Sequence, residues 1–253
     1  MKEANEIKKI IKGKYAEIAK GTSSCCNSTC GCGSIPKSNN QIAKEIGYSS
    51  EDIKQGEGAN LGLGCGNPVA LSKIKEGDTV LDLGCGAGFD CFLASKKVGE
   101  TGRVIGVDMT ERMISKAKEN AQKQGIKNVT FLLGEIENLP LDDNSVDIII
   151  TNCVINLTPD KLKTFREAYR VLKTGGRIYL SDIVLLEELS EQQKNDEDLL
   201  SGCVAGALLR DDYLDKIKSA GFDTRILYEN KTISKQQYNG IALESLGVEA
   251  IKA

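Results

Sequence analysis

The stretch that most constrains the fold is 79–88, TVLDLGCGAG, in which a short apolar run leads directly into closely spaced glycines. The apolar run predicts a buried strand around Val80, Leu81 and Leu83. The glycines that follow it are Gly84, Gly86 and Gly88. Such spacing predicts a sharp turn whose backbone can approach a ligand closely, because no Cβ is in the way. The stretch therefore predicts a strand, a tight turn and the start of a helix around a cofactor.

The residues that flank this turn narrow the class of cofactor. A dinucleotide-binding loop, G-x-G-x-x-G, would have a glycine at position 89, where this chain has Phe89. Asp82 lies just ahead of the turn, and a carboxylate there would repel a pyrophosphate but attract a cationic group such as an α-amino group. S-adenosylmethionine carries such a group. The sequence thus favours S-adenosylmethionine over a dinucleotide.

Two segments, VLDLGCGAG at 80–88 and VIGVDMT at 104–110, together resemble the class I S-adenosylmethionine-dependent methyltransferases. The resemblance implies an α/β fold with a doubly wound, mainly parallel, seven-stranded Rossmann-like sheet. Asp108 ends the second predicted strand and is placed to accept hydrogen bonds from both ribose hydroxyls, with capping of the next helix as the alternative. Met109 would pack on the adenosine or belong to the core.

The same resemblance assigns further residues to the cofactor. Glu135 follows the third predicted strand in LLGEIENLP, where family members usually place an acid beside an apolar residue. Glu135 and Ile136 are therefore assigned to the adenine. Cys85 either contacts the cofactor or only fills the loop. Besides Asp108 and Met109, the implied cofactor-binding set is Asp82, Gly84, Cys85, Gly86, Gly88, Glu135, Ile136 and Asn152.

Composition and charge exclude several classes of protein. Apolar residues make up 40% of the 253, enough for a sizeable core. A net charge of −3 without a long basic cluster argues against nucleic acid or an anionic membrane as a partner. No apolar stretch approaches the length that a membrane-spanning helix needs. The first twenty residues carry charges throughout and lack the apolar core of a signal peptide. We expect a cytoplasmic protein.

The chain contains nine cysteines and no histidine. Without imidazole, any proton transfer would fall to Asp, Glu, Lys, Tyr or Cys. Methyl transfer to an acceptor that has its own lone pair needs no base. In a reducing compartment, the cysteines are better suited to binding soft metals or to thiol reactivity than to structural disulfides.

Hydrophobic periodicity predicts two regions. Residues 1–70 would form N-terminal helices at 5–20 and about 38–46, with Cys-rich and Gly-rich loops that cover the sites. The Gly-rich loop at 56–68 has no strand before it, and Pro68 stands where the helix after it would begin. It therefore does not match a phosphate-binding loop, which requires both elements. Residues 71–253 would form the sheet domain, with a helical insert at 184–209. Its predicted strands are 79–83, 103–107, 129–133, 146–150, 176–183 and 222–228, then a strand or hairpin within 231–252. Its predicted helices are 89–98, 111–124, 159–172 and 211–220.

Three cysteines fall where the acceptor of a doubly wound methyltransferase is held. Cys153 comes three residues after the fourth predicted strand, Cys203 lies in the insert, and Cys65 lies in the Gly-rich loop. A buried cysteine is usually only a small apolar residue, and we interpret Cys91 in that way. Three thiols at one end of a sheet instead favour a soft ion or metalloid.

These cysteines lie in four segments that together resemble the arsenite methyltransferases: CCNSTC at 25–30, GLGCGNP at 62–68, TNCVINL at 151–157 and SGCVAGA at 201–207. The resemblance covers nearly the whole chain. It implies that Cys65, Cys153 and Cys203 bind trivalent arsenic, and that Cys26 joins a redox cycle. Cys25, Cys30 or Cys32 could serve in place of Cys26.

The resemblance also implies a mechanism and its partners. Three thiolates would hold arsenite so that the arsenic lone pair faces the methyl group of S-adenosylmethionine. Transfer oxidises the arsenic. Cys65 and Cys26 would return the two electrons to it by forming a transient disulfide, which thioredoxin or glutathione would then reduce. Arsenite or its thiol conjugates would be the substrate.

Two alternatives stay open. One is methyl transfer to a small carbon or oxygen acceptor, which would require a base beside Cys153. The other is a metal-binding or sensor protein, in which the crowded N-terminal cysteines hold zinc. Those cysteines are Cys25, Cys26, Cys30 and Cys32.

Overall fold

The structure, a computed structural model, describes residues 3–21, 37–233, 238 and 240–253. Within these residues, one sheet contains seven strands: β1 (Thr79–Leu83), β2 (Arg103–Asp108), β3 (Val129–Leu133), β4 (Val146–Asn152), β5 (Leu172–Leu185), β6 (Phe222–Asn230) and β7 (Leu243–Lys252). Their order is β3-β2-β1-β4-β5-β7-β6. Strands β1 to β5 are parallel, whereas β7 is antiparallel to both β5 and β6. The predicted Rossmann-like, mainly parallel sheet is confirmed.

Helices cover both faces of the sheet. The described residues form α1 (Ala4–Lys20), α2 (Asn39–Glu45), α3 (Ser50–Gln55), α4 (Pro68–Leu71), α5 (Phe89–Val98), α6 (Glu111–Gln124), α7 (Lys161–Val171), α8 (Glu191–Lys194), α9 (Glu197–Ser201) and α10 (Arg210–Ser219). A single 3₁₀ turn follows β4 at Ile155–Leu157. In the ranges that the structure describes, no helix combines the length and the apolar character needed to cross a membrane.

The segment around Pro68 differs from the sequence prediction, which excluded a helix there. Helix α4 begins at Pro68 because Asn67 caps it, with its Oδ1 accepting a hydrogen bond from the Ala70 N–H at 2.9 Å. Proline is compatible with the first helical position, where its missing N–H has no intrahelical partner to lose. The helix is only four residues long and directs the chain away from the Gly-rich loop.

Other boundaries also moved. Helix α3, for which the sequence analysis predicted no helix, begins after Ser49, which forms a capping box with Asp52. Helix α7 starts two residues later than predicted, because the Asp160 side chain accepts from the Lys163 N–H and caps it there. Strand β5 extends beyond the predicted 176–183 at both ends. Within the predicted insert, the helical residues are those of the short α8 and α9.

Alternation along β1 decides what each of its faces offers. Leu81 and Leu83 join the apolar core on the side of α7 and α10, whereas Val80 packs on the opposite side against α5. Side chains two apart on a strand share a face. Asp82 therefore lies on the α5 side with Val80, where its Oδ2 accepts a hydrogen bond from the Cys91 thiol at 3.2 Å. A carboxylate is thus buried directly beneath the glycine turn.

A third apolar cluster lies at the carboxyl end of the parallel strands and positions the site. It includes Ile11 of α1, Leu200 of α9 and three cysteines, Cys65, Cys153 and Cys203. The N-terminal helix, the insert and the loop after β4 thus share one core. Parallel α/β sheets bind their ligands at this end of the strands.

Candidate active site

The glycine turn after β1 has the conformation that its sequence predicts. Gly84, Gly86 and Gly88 all have positive φ, of 69°, 50° and 95°. A Cβ on Gly84 would lie 2.5 Å from Val154, and one on Gly88 would lie 2.9 Å from Phe92. Nothing lies within 4 Å of the position that a Cβ on Gly86 would take. Two glycines therefore allow close packing, and the third leaves the backbone open.

Asp108 connects the end of β2 to this turn. Its Oδ2 accepts from the Gly86 N–H at 3.0 Å, and its Oδ1 accepts from the Thr110 N–H at 2.8 Å. Burial raises the pKa of Asp108, although these backbone hydrogen bonds oppose the shift. Each carboxylate oxygen can accept a further hydrogen bond. The group is therefore held in place with acceptor capacity left for a ligand.

A cleft opens beside the turn, with Asp82, Asp90 and Asn152 in its lining. Burial raises the pKa of Asp82 well above its ordinary value, and the neighbouring Asp90 raises it further. Burial also raises the pKa of Asp90 to about 6, against a hydrogen bond from Tyr48. Two buried carboxylates on one cleft are electrostatically suited to a cationic ligand.

The other residues assigned to the cofactor lie at different depths. Ile136 is buried, and Met109 is half-buried against the third cluster. Glu135 is exposed, and its Oε2 lies 2.7 Å from the Nζ of Lys8 on α1. Cys85 is buried in the core with Phe92 and also lines the cleft. The structure thus places Cys85 at both the core and the cleft, and it shows the Glu135 carboxylate paired with the N-terminal helix.

Asn152, at the end of β4, links the cleft to the Gly-rich loop. Its Oδ1 accepts from the Cys65 N–H at 3.0 Å, while its Nδ2 donates to the Gly66 carbonyl at 2.7 Å and to the Tyr48 hydroxyl at 2.9 Å. A Cβ on Gly64, where φ is 102°, would lie 2.8 Å from that Nδ2. One amide therefore holds the loop that presents Cys65 against the edge of the cleft.

The opposite side of this loop is held by the last two strands. The Ser245 hydroxyl on β7 donates to the Cys65 carbonyl at 2.7 Å, and the Tyr228 hydroxyl on β6 lies 3.0 Å from the Ser245 hydroxyl. A Cβ on Gly66 would collide with the Tyr228 hydroxyl. The loop needs glycine at this position because the two strands approach its backbone so closely.

The three cysteines singled out by the sequence are brought together. Cys65, Cys153 and Cys203 are 2%, 6% and 4% exposed. The sulfurs of Cys65 and Cys153 lie within 4.8 Å of each other, and the Cys203 thiol donates to the Cys153 carbonyl at 2.7 Å. We call these three residues the thiol cluster. Cys91, on α5, lies apart from this cluster and donates a hydrogen bond to Asp82.

Backbone geometry aims two of these thiols. Cys153 and Cys203 have φ of 57° and 66°, and the one other non-glycine residue with positive φ in the described ranges is Asn144. A residue with a Cβ pays about 1–2 kcal/mol for this conformation. Strained backbone of this kind is concentrated at functional sites. Its presence at two thiols of one cluster therefore marks the cluster as a candidate site.

The thiols of the cluster are held neutral. Burial raises the pKa of Cys65. The pKa of Cys153 is lowered by its hydrogen bond with Cys203. The contact with Cys65 and burial outweigh this effect and leave the pKa of Cys153 well above its ordinary value. The hydrogen bond with Cys153, followed by burial, raises the pKa of Cys203. A ligand that binds sulfur must therefore displace the thiol protons.

A carboxylate that the sequence interpretation missed lies beside the cluster. Asp182 on β5 is 1% exposed, and one of its oxygens lies within 4.8 Å of the sulfurs of Cys65 and Cys153. Its Oδ1 accepts from the Asn156 amide at 2.9 Å, and its Oδ2 accepts from the Tyr213 hydroxyl at 3.0 Å. Burial raises the pKa of Asp182 to about 6.

Helix α1 covers this end of the sheet. The Tyr15 hydroxyl donates to the Ser201 carbonyl at 3.2 Å, and Lys14 lies 3.4 Å from Asp198 on α9. Lys8 pairs with Glu135 at the other end of the helix. The cysteines assigned to a redox cycle or to zinc, Cys25, Cys26, Cys30 and Cys32, lie outside the described residues.

Comparison with known proteins decides the family. A family model described as a methyltransferase domain matches residues 74–237, which is more than half of the chain. The chain belongs to the methyltransferase domain family. The match begins just before β1 and ends after β6, so it includes the glycine turn, Asn152 and two of the three clustered thiols.

The chain is similar to proteins named arsenite methyltransferase. It is 45% identical over 229 residues to one from Halobacterium salinarum, covering 88% of this chain and 59% of that protein. It is 36% identical over 230 residues to one from Mus musculus, covering 87% and 59%. The chain thus spans about three fifths of the length of these relatives.

A solved structure supports the same grouping. The crystal structure of an arsenic(III) S-adenosylmethionine methyltransferase from Chlamydomonas reinhardtii superposes with a TM-score of 0.67 at 34% identity. The match covers 87% of this chain and 75% of that chain.

Two buried acids at the candidate site had signals in the sequence that the sequence analysis did not use. Asp90 is an acid in the first turn of the helix that follows the glycine turn, where it lines the cleft. Asp182 stands in YLSDIVL, an acid within a strand otherwise apolar enough to be fully buried. A charge at such a position requires hydrogen-bond partners or a functional reason.

Proposed function

We propose that this chain transfers the methyl group of S-adenosylmethionine to trivalent arsenic bound by Cys65, Cys153 and Cys203. The observation that carries the proposal is the convergence of these three thiols next to the cleft at the glycine turn. Their separation along the chain, from position 65 to position 203, makes a chance cluster of soft ligands a weak explanation. The similarity to proteins named arsenite methyltransferase supports the same substrate.

The cleft fits S-adenosylmethionine in chemistry. Asp82 and Asp90 offer negative charge to its cationic groups, Gly86 leaves an open backbone for close approach, and Asp108 retains acceptor capacity for ribose hydroxyls. When bound, this cofactor supplies a methyl group activated by attachment to a sulfonium. The remaining assignments, Met109, Glu135 and Ile136 for the adenosine, are part of the same proposal.

The thiol cluster would hold arsenite as substrate. Each As–S bond forms as an arsenic hydroxide leaves with the thiol proton as water, so three bonds release three waters from As(OH)₃. This route suits thiols that are neutral when empty. Arsenic bound to three sulfurs keeps a lone pair, which needs no deprotonation before it attacks. A chain without histidine is therefore not at a disadvantage in this reaction.

Positioning is the main contribution expected of the protein. Asn152 lines the cofactor cleft and also binds both sides of Cys65, so it fixes the distance between donor and acceptor. Holding two reactants in an aligned pair can contribute about 7–11 kcal/mol in the best cases. We also infer that residues 1–70 serve as a cover, as the contacts of α1 with α6 and α9 suggest.

The reaction needs a reductant. Methyl transfer leaves arsenic with two electrons fewer, and oxidation of two thiols to a disulfide returns them. We assign these thiols to Cys65 and Cys26, with thioredoxin or glutathione reducing the disulfide afterwards. Cys25, Cys30 and Cys32 are the alternatives to Cys26.

A methyl-transfer assay tests the proposal. The full chain is incubated with arsenite, S-adenosylmethionine and either thioredoxin or glutathione, and methylated arsenic is measured. We expect Cys65→Ser, Cys153→Ser and Cys203→Ser each to lower turnover by at least about a hundredfold. Arsenite binding, measured as arsenic retained after desalting, should fall in the same variants but not in Cys91→Ser, because Cys91 lies outside the cluster. Unchanged turnover in all three cluster variants would reject the proposal.

One observation favours a second candidate, methyl transfer to a small carbon or oxygen acceptor. Such a reaction needs a base beside Cys153, and the Asp182 carboxylate lies there. A demethylmenaquinone methyltransferase from Lactococcus lactis is 40% identical over 102 residues. Turnover of a naphthoquinol that survives Cys153→Ser and Cys203→Ser, but is lost in Asp182→Asn, would favour this candidate over arsenic.

A further inference from the structure

We propose that Cys65, Cys153 and Asp182 form a binding site for a thiophilic divalent cation, with Zn²⁺ as its representative, and that this cation competes with arsenite. Two sulfurs and one carboxylate oxygen lie within 4.8 Å of one another, and all three residues are buried. The inference goes beyond methyl transfer and does not require it, since it depends only on these three donor groups.

The distances suit a tetrahedral metal after a small contraction. Zn–S bonds of about 2.3 Å and Zn–O bonds of about 2.0–2.2 Å place tetrahedral ligand atoms about 3.5–3.8 Å apart. The donor atoms here lie at most 4.8 Å apart, so each must move by about 1 Å or less. Rotation of side chains can supply such a movement. Three protein ligands leave the fourth position for water.

Asp182 is already oriented as metal-binding carboxylates usually are. Its Oδ1 accepts from the Asn156 amide and the Ile183 N–H, at 2.9 Å and 3.0 Å, and its Oδ2 accepts from Tyr213 at 3.0 Å. Hydrogen bonds of this type fix the ligand and are characteristic of metal sites. Among the described residues, Oδ2 accepts from the Tyr213 hydroxyl alone, so it can accept or ligate once more. Three anionic ligands also suit a divalent charge.

Asp182 separates the two ions that the pocket would take. Trivalent arsenic would bind three sulfurs, including that of Cys203, and has no need of a carboxylate. Zinc accepts sulfur and oxygen ligands together. The Cys203 thiol bonds to the Cys153 carbonyl and is not among the three donors. The two ligand sets therefore share Cys65 and Cys153 but differ in the third member.

The test uses the whole 253-residue chain with Cys25, Cys26, Cys30 and Cys32 all replaced by serine, so that the thiols at 25–32 cannot bind the metal. Zn²⁺ affinity is measured against a chromophoric chelator, and Co²⁺ is used as a spectroscopic probe of thiolate ligation. We expect one Zn²⁺ per chain and a thiolate-to-cobalt charge-transfer band that arsenite abolishes. X-ray absorption at the zinc edge should show two sulfurs with oxygen ligands, whereas a shell of three or four sulfurs would overturn the assignment of Asp182.

Two variants complete the design. Asp182→Asn should raise the dissociation constant for Zn²⁺ at least about tenfold and change arsenite retention less than about threefold, in protein whose thermal unfolding is still cooperative. Cys203→Ser should instead lower arsenite retention at least about tenfold and change the dissociation constant for Zn²⁺ less than about threefold. Equal Zn²⁺ affinity in Asp182→Asn and its parent, or arsenite binding that leaves Co²⁺ in place, would refute the site. Methylation is assayed separately in the parent chain, which keeps all nine cysteines; its absence there, with Zn²⁺ binding as described in the serine variant, would reject only the proposed function.

Discussion

The left-handed backbone at Cys203 predicts an unusual order of stability among its variants. Cys203→Ala and Cys203→Gly both remove the sulfur and its hydrogen bond to the Cys153 carbonyl, so these losses cancel between them. Alanine keeps a Cβ at φ 66°, which costs about 1–2 kcal/mol, whereas glycine adopts this conformation freely. Glycine loses about 0.5–1 kcal/mol through its unfolded-state entropy. We therefore expect the glycine variant to be as stable as the alanine variant, or up to about 1.5 kcal/mol more stable.

Cys91 is the matched control, because it is equally buried but lies within helix α5. There, Cys91→Gly should be about 1 kcal/mol less stable than Cys91→Ala. The free energy of unfolding is obtained from urea titrations followed by circular dichroism, with equal m-values required of each pair. The difference between the two sites should be about 1–2.5 kcal/mol. If glycine were less stable than alanine by the same margin at both sites, the strained backbone at Cys203 would be refuted.

Three further outcomes are expected. Asn152→Asp removes the donors to Gly66 and Tyr48, so alkylation of Cys65, followed by mass spectrometry, should accelerate at least about tenfold while labelling of Cys91 stays constant. S-adenosylmethionine affinity, measured by calorimetry, should fall up to about tenfold from pH 7.5 to 5 as Asp90 becomes protonated near its pKa of about 6, and Asp90→Asn should flatten this profile. The free energy of unfolding should fall as the pH rises above 9.0, the ordinary thiol pKa, because the unfolded chain then releases protons that the buried thiols retain. Cys153→Ser should make this fall less steep, and an unchanged slope of unfolding free energy against pH in that variant would contradict the reasoning.

Features coded by short, contiguous patterns could be predicted from the sequence. The strand, glycine turn and helix at 79–98 depend on local apolar spacing and on glycines that tolerate positive φ, and the structure reproduces them. The position of Cys153 after β4 follows from the same kind of pattern, because the carboxyl ends of parallel strands meet at one edge of the sheet. The family, the fold and the convergence of distant thiols were therefore open to inference from the chain alone.

Features that depend on tertiary contacts could not be predicted. Asp182 stands in a strand that reads as apolar, and nothing nearby in sequence shows that Asn156 and Tyr213 will supply its hydrogen bonds. Asn152 was assigned to the cofactor alone, because its bonds to the Cys65 loop join residues 87 positions apart. Helix α4 was missed because proline was interpreted only as a breaker, although Asn67 caps the turn that it begins.

The hydrogen bond from Ser245 to the Cys65 carbonyl has a consequence for biosynthesis. It joins residues 180 positions apart, and β7 must insert between β5 and β6 before it can form. A ribosome will therefore have translated all three residues of the thiol cluster before β7, the strand that anchors the Cys65 loop, emerges. The nascent polypeptide should lack the complete thiol pocket until β7 has paired with β5 and β6.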